Sequence, residues 1–288
     1  MSDSPALLPP FRLVRPKALR TAAVFASPHS GAQYPHSLQE RAVLDMLRLR
    51  SSEDAFVDEL LADAPRFGAP LLCAQYPRAW VDLNRAEDEL DSALIAGLDR
   101  AHPGPRVAAG LGVIPRVVSG ARAIYRGKIP MIEAEARINH VWRPYHAQLE
   151  ALMAEAHGAF GQAILLDMHS MPSEALAASG PRRAEIVLGD RYGTSADREI
   201  VREIELIFEG EGLNVARNSP FAGAYITQRY GHPREGYHAI QIEIDRALYM
   251  DQHRIAPNEN FNAFAALMSR AARQIADLGA HPLRHAAE

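Results

Sequence analysis

The sequence predicts an α/β fold with a central mixed sheet covered by helices on both faces, and three observations carry that prediction. Short runs rich in Val, Ile and Leu alternate along the chain with stretches of helical periodicity. A strand-like run, Ala22-Ala23-Val24-Phe25-Ala26, goes straight into the breaker-rich turn Ser27-Pro28-His29-Ser30-Gly31, as strands do where open α/β sheets place ligands. Two further runs, Leu165-Leu166-Asp167-Met168-His169-Ser170 and Gln241-Ile242-Glu243-Ile244-Asp245, carry polar side chains two residues apart. Strand side chains alternate between faces, so Asp167 and His169 share one face, as do Gln241, Glu243 and Asp245.

In chain order, helical patterns follow the first turn across Gln39 to Arg50 and from Glu53 to about Phe67, the second opened by Ser51 or Ser52 as N-cap. Strands are expected at Leu71 to Gln75 and Trp80 to Leu83. The Gly-, Pro- and Arg-rich stretch from Ala101 to Gly127 reads as a long surface excursion, and such excursions often serve function. A helix from Glu133 to about Phe160 is interrupted by Pro144, which kinks or splits it. The remainder alternates: strand 163–168, strand 185–188, helix 196–209, strand 213–216, strand 239–245 and a last helix from about Asn260 to Leu278. With no repeat, low-complexity tract or linker, residues 1–288 are expected to form a single domain.

A net charge of −4 with interspersed signs provides no basic footprint for nucleic acid. No apolar run is long enough to span a bilayer and the N-terminus lacks the pattern of a secretory signal, so a cytoplasmic location is expected. The single Cys73 excludes an internal disulfide or a multi-cysteine metal site, and its apolar neighbours suggest a buried core thiol.

The ionisable residues on strands point to a metal. Buried carboxylates are costly without a positive partner, and a histidine on the same sheet suggests a metal ion as that partner. His29 follows a strand in a constrained turn and is a candidate ligand. So is His169, with Asp167 placed to ligate or to orient it. An acidic third ligand is not settled by Glu53, Asp54 and Asp58, which would equally serve a helix N-terminus. Val81-Asp82-Leu83-Asn84-Arg85 offers an amide and a guanidinium suited to a carboxylate, and Glu243 is a candidate general base.

The blocks around these residues resemble, in order, the N-formylglutamate amidohydrolases. They are Ser27 to Gly31 with Tyr34-Pro35, Glu53-Asp54-Ala55-Phe56-Val57-Asp58, Val81 to Arg85, Pro144-Tyr145-His146, and Asp167 to Ser170. They continue with Pro220 to Thr227, Tyr230-Gly231-His232-Pro233, His238 to Glu243 and Leu248-Tyr249-Met250-Asp251. That family is similar to the zinc carboxypeptidase and aspartoacylase group, which implies a carboxypeptidase-like (phosphorylase/hydrolase-like) sheet and one Zn2+ per chain. The resemblance implies that His29 and His169 bind zinc, that Asn84 and Arg85 hold a substrate carboxylate, and that Glu243 is the base. Where the wider carboxypeptidase pattern has a glutamate ligand three residues after the first histidine, this chain has Ala32. Asp54, matching an aspartate of the family, is therefore taken as third ligand over Glu53 and Asp58, with Asp167 and Ser170 behind the metal ligands.

Arg78, Arg116 and Arg122 are candidates for a side-chain carboxylate, Gly223 and Tyr225 for the substrate's surroundings, and His238, which shares the face of Glu243 only if the strand begins by Ala239, for supporting the site or stabilising an oxyanion. The implied activity is hydrolysis of an N-formyl or similar N-acyl amide of an acidic amino acid, as in histidine catabolism. The segment Gly110 to Arg116 looks unlike the histidine-degradation deformylases, and Gln228 stands where those tend to have Arg, so the substrate stays open. Alternatives are a metallocarboxypeptidase-like peptidase and a non-catalytic zinc- or anion-binding relative. The partner expected is a small N-acyl amino acid, with neither nucleic acid nor membrane.

Overall fold

Seven strands, each rich in side chains that pack well on a pleated surface, make one mixed sheet. They are β1 (Phe11–Val14), β2 (Ala23–Ser27), β3 (Leu71–Ala74), β4 (Ala163–Met171), β5 (Ile186–Gly189), β6 (Val215–Arg217) and β7 (Tyr237–Asp245). The computed structural model describes residues 8–98, 104–176 and 183–280. The strand order is β1-β3-β2-β4-β7-β5-β6. β3, β2, β4 and β7 run parallel; β1 is antiparallel to β3, and β5 is antiparallel to β7 with β6 parallel to β5.

The inner strands are buried on both faces, as a largely parallel sheet requires. On one face Phe25, Leu71, Cys73, Ile164, Leu166, Ile240, Ile242 and Ile244 pack with Ile200, Ile204 and Phe208 of α2 (Arg198–Gly210) and with Phe264, Met268 and Ile275 of α4 (Phe261–Gly279). On the other face Val24, Leu72, Leu165 and Ala239 pack with Tyr145, Leu149, Leu152 and Met153 of α1 (Arg143–Phe160) and Ile226 of α3 (Tyr225–Tyr230). The expected α/β class with helices on both faces is therefore found. Cys73 lies inside the first layer, and burial pushes its thiol up to about 12, as for an inert core cysteine. Among the described residues no helix is long and apolar enough to cross a membrane.

Four local expectations are corrected. Trp80 to Leu83 is not a strand, because the Pro77 carbonyl takes the N–H groups of Trp80 and Val81 into a turn. The helix expected from Gln39 to Arg50 breaks at Ala42, whose extended backbone bridges Tyr125, and restarts at Met46 with Asp45 as N-cap. That expected from Glu53 to Phe67 survives only as Val57–Leu60 and a 3-10 turn at Ala64–Phe67, since Glu53 is extended and Phe56 left-handed (φ 67°). Ser51 and Ser52 end a preceding 3-10 turn and cap nothing. The interruption expected at Pro144 is found: the α-helix Met131–Arg137 gives way to a π-helical turn at Ile138–Trp142, and α1 restarts at Arg143 with the proline in its first turn. The edge strand β1 was not anticipated. Part of the Ala101 to Gly127 excursion lies outside the described residues.

Ile242 is fully buried on the face opposite Glu243. Ile242→Ala is expected to lower stability by about 2–5 kcal/mol in urea denaturation, and a loss below about 1 kcal/mol would contradict this packing.

Candidate functional site

The site lies where one face of the sheet changes character. Along β4 that face runs Ala163, Leu165, Asp167, His169; along β7 it runs Ala239, Gln241, Glu243. The amino-terminal halves are apolar beneath α1, and the carboxyl-terminal halves are polar. Parallel register sets Gln241 beside Asp167 and Glu243 beside His169, so two separate sequence motifs become one row. At the end of β2 the turn delivers His29, which is 1 % exposed. This turn is pinned by Gly31, where a Cβ would come within 2.2 Å of the Tyr76 carbonyl oxygen.

Asp54 reaches the same point because its segment is not helical. Its N–H donates to the His29 carbonyl oxygen (3.0 Å), which ties the two segments together. Asp54 Oδ2 lies 3.1 Å from His169 Nδ1 and 3.5 Å from His29 Nδ1, and one ligand atom from each of the three residues lies within 4.8 Å of the others. Two ligands on a tetrahedral zinc with bonds near 2.05 Å are separated by about 3.3 Å, between the two observed distances. His29 Nδ1 is buried without a hydrogen-bond partner, which is costly unless something other than hydrogen occupies its lone pair.

The outward ring nitrogens meet carboxylates. His29 Nε2–H donates to Asp82 Oδ1 at 2.7 Å, and His169 Nε2 lies 3.1 Å from Asp167 Oδ2. Metal-ligating histidines are usually oriented in this way. The neighbouring acids are occupied elsewhere: Glu53 binds Arg50 and the Tyr34 hydroxyl, and Asp58 binds Arg12.

Four buried carboxylates, Asp54, Asp82, Asp167 and Glu243, share this volume with two guanidiniums, Arg78 on Asp82 (2.8 Å) and Arg246 on Asp54 (3.1 Å). Arg85 is offset by Glu89 at 3.9 Å. With neutral imidazoles and ionised acids, two negative charges remain uncompensated among the described residues. Proton affinities respond accordingly. Burial raises Glu243 to about 7, against the opposing pull of His169 and with the support of Asp54. Burial opposes charge on His169, yet Asp167, Asp54 and Glu243 hold its pKa well above the imidazole range. Asp54 and Asp82 resist the effect of burial: the imidazoles hold Asp54 well below the carboxylate range, and Arg78, His29 and Arg85 do so for Asp82.

A cleft of about 400 Å³ opens beside this cluster, lined by Arg78, Asp82, Glu243 and Arg246 and by an apolar wall that includes Leu111, Val117, Met171 and Phe221. Several expected substrate residues are placed differently. Asn84 is enclosed: its Oδ1 accepts from Ile226 N–H (2.8 Å) and its Nδ2 donates to Gln241 Oε1 (3.3 Å), while Gln241 Nε2 donates to Glu243 Oε1 (2.8 Å). It therefore holds Glu243 through Gln241. The Arg85 guanidinium donates to the carbonyls of Leu111 and Asn84 and is not on the cleft wall. Arg116 turns away onto Asp91, and Arg122 stays at the rim on Ser119 and Ser51.

His238 is on the opposite face from Glu243, since β7 is unbroken from Tyr237, and its Nδ1 accepts from Asp197 N–H. Tyr225 packs against Trp142 and His146 with its hydroxyl on Arg229, and Gly223 (φ 104°) shapes the loop behind Phe221. Ser170 donates to Asp54 Oδ1 (3.2 Å). Sequence reasoning missed Asp82 and Arg246. Asp82 carried a signal, two residues before Asn84 in a quoted block; Arg246 carried none.

The fold and this cluster define an α/β protein with a buried two-histidine, one-aspartate site at the carboxyl ends of parallel strands. The family model for N-formylglutamate amidohydrolase matches residues 21–250, and the chain belongs to that family. N-formylglutamate deformylases of Pseudomonas aeruginosa and Pseudomonas putida are 30% and 27% identical to it over 236 residues, 81% of this chain and 84% and 83% of theirs. The crystal structure of N-formylglutamate amidohydrolase from Ralstonia eutropha JMP134 superposes with a TM-score of 0.88 at 36% identity, covering 94% of this chain and 99% of that one.

Because Gly31 fits only without a Cβ, Gly31→Ala is expected to displace the His29 turn and lower amidohydrolase turnover by about 10²-fold, the typical result of an ångström-scale misplacement. Gly127→Ala, where a Cβ meets nothing within 4 Å, should leave turnover unchanged. Equal rates for the two variants would show that the turn is not rigidly held.

Proposed function

We propose that this chain hydrolyses the amide bond of N-formyl-L-glutamate or a closely related N-acyl amino acid, releasing the amino acid and formate or a small acid, with one zinc held by His29, Asp54 and His169. The observation that carries this is the convergence of His29 Nδ1, Asp54 Oδ2 and His169 Nδ1 beside Glu243, with His29 Nδ1 buried and otherwise unpartnered. The excess of buried carboxylates over paired guanidiniums suits a divalent cation. The relatives named as deformylases support the substrate class.

Bound there, zinc supplies Lewis acidity and makes water acidic enough to be activated near neutral pH. Glu243, with Oε1 fixed by Gln241, accepts the proton of the attacking water and returns it to the leaving amine. Burial, the largest cause of the raised proton affinity of Glu243, favours both transfers. Asp82 and Asp167 hold the imidazole rings in orientation. Arg78 receives a substrate carboxylate: it lines the cleft, and Asp82 is its only hydrogen-bonded partner among the described residues. The volume, near the lower end of about 300–1,000 Å³ for ligand pockets, favours a single amino-acid derivative over a peptide.

Purified His169→Ala and Asp54→Ala are expected to lose zinc on dialysis against a chelator that leaves wild type loaded, while Asp58→Ala keeps it. Full zinc retention by His169→Ala would contradict the ligand set. Glu243→Gln should keep the metal and lose roughly 10²–10⁴ in kcat; near-normal turnover would remove Glu243 as the base. Arg78→Lys should lower kcat/KM for N-formylglutamate by roughly 30-fold or more, about 2–5 kcal/mol for a lost carboxylate fork. It should change kcat/KM far less for whichever substrate amide, N-formylglutamine or N-formylisoglutamine, lacks the carboxylate that Arg78 binds. An equal loss on all three substrates would mean that Arg78 binds no substrate carboxylate.

A further inference from the structure

Arg246 follows the last residue of β7 and is 7 % exposed. Its start is fixed by Asp245, whose Oδ1 accepts from Ala247 N–H (3.0 Å) and whose Oδ2 pairs with Arg183 (2.7 Å). From there the guanidinium reaches a segment nearly two hundred residues away in sequence. Nε donates to Ser170 Oγ (3.1 Å), Nη1 to the Ser51 carbonyl (3.1 Å), and Nη2 to both the Glu53 carbonyl (2.8 Å) and Asp54 Oδ1 (3.1 Å). Ser170 Oγ donates to the same Asp54 Oδ1.

These contacts bear on a segment that regular structure does not hold. The backbone is extended at Glu53 and left-handed at Phe56, so no helical ladder fixes the direction of the Asp54 side chain. Arg246 grips two carbonyls just before Asp54 and one of its carboxylate oxygens. With Ser170 it occupies Oδ1 completely enough that Oδ2 is the atom left facing the two imidazole nitrogens.

We propose that Arg246, assisted by Ser170, is a positioning residue that selects Asp54 Oδ2 as the oxygen presented between His29 and His169, and that metal affinity depends on it. This rests on the zinc reading given above. Two effects compete when Arg246 is replaced. Its positive charge repels a cation, so removal should tighten metal binding electrostatically. Its fork orients the carboxylate, so removal should weaken binding through disorder of the ligand. Orientation prevails, because a carboxylate on a free loop can turn its oxygens away or pair with solvent, and groups that orient metal ligands typically contribute 10–100-fold in metal affinity. A lysine cannot substitute: a point-charge ammonium cannot serve Ser170, two carbonyls and Asp54 at once.

The test is zinc affinity by chelator competition for wild type, Arg246→Gln, Arg246→Lys and Ser170→Ala, with the visible spectrum of each cobalt(II)-loaded protein as a report on ligand geometry. Arg246→Gln and Arg246→Lys are expected to bind zinc 10–100-fold more weakly than wild type and to give altered cobalt spectra, and Ser170→Ala should show a smaller loss in the same direction. Wild-type or tighter zinc binding by Arg246→Gln, or full rescue by Arg246→Lys, would overturn the proposal by showing that only charge or folding is involved. If Arg246→Gln does not fold, Ser170→Ala decides, and an unchanged affinity and spectrum there would overturn it. Failure of wild type itself to bind stoichiometric zinc would instead defeat the underlying metal reading.

Discussion

Uncompensated negative charge, buried at the end of a parallel sheet, is the constraint on which the rest of this site depends. Each of Asp54, Asp82, Asp167 and Glu243 would cost several kcal/mol to bury alone. The protein places all four within one small volume, where among the described residues Arg78 and Arg246 are the guanidiniums paired with them. Such an arrangement persists when a further positive charge belongs to it. Asp167 is fully buried, and the neighbour it faces is His169, whose Nε2 lies 3.1 Å from its Oδ2.

The fold makes this concentration possible by dividing labour along each strand. Ala163 and Leu165 on β4, and Ala239 on β7, anchor the sheet to α1, and the same face two residues later carries chemistry. The opposite face is apolar along the middle of the same strands, with Ile240, Ile242 and Ile244 beneath α2 and α4. Stability is thus gathered on one side and at one end, which leaves the other end free for expensive groups. Neutral His146, held down to about 3 by burial, ties α1 to the Leu83 carbonyl and the Tyr230 hydroxyl of α3 on one side of the sheet, and so steadies the turn that carries Asp82 and Asn84.

Much of this was legible in the sequence, for identifiable reasons. The period-two spacing of Asp167 with His169 and of Gln241 with Glu243 fixes a shared face, and no tertiary information is needed to see it. His29 was visible through its Pro- and Gly-bounded turn. What was not legible came from long-range pairing. The helix expected from Glu53 to Phe67 has the right periodicity, but the contacts of Ser51, Glu53 and Asp54 with Arg246 and His29 hold its beginning extended; tertiary demand overrode propensity where Asp54 must turn inward. Asn84 and Arg85 look like a clamp in isolation, yet the carbonyls and amides that occupy them come from residues 111, 226 and 241. Arg246 shows no pattern at all, because its partners lie in a segment far away in sequence.

The most direct test of the central claim is a crystal structure of the purified protein with anomalous data collected on both sides of the zinc absorption edge. The expected result is one strong zinc peak per chain, within bonding distance of His29 Nδ1, Asp54 Oδ2 and His169 Nδ1. A zinc-supplemented crystal with no peak there, or with its peak on other residues, would contradict the claim that the buried negative charge is matched by a bound divalent metal.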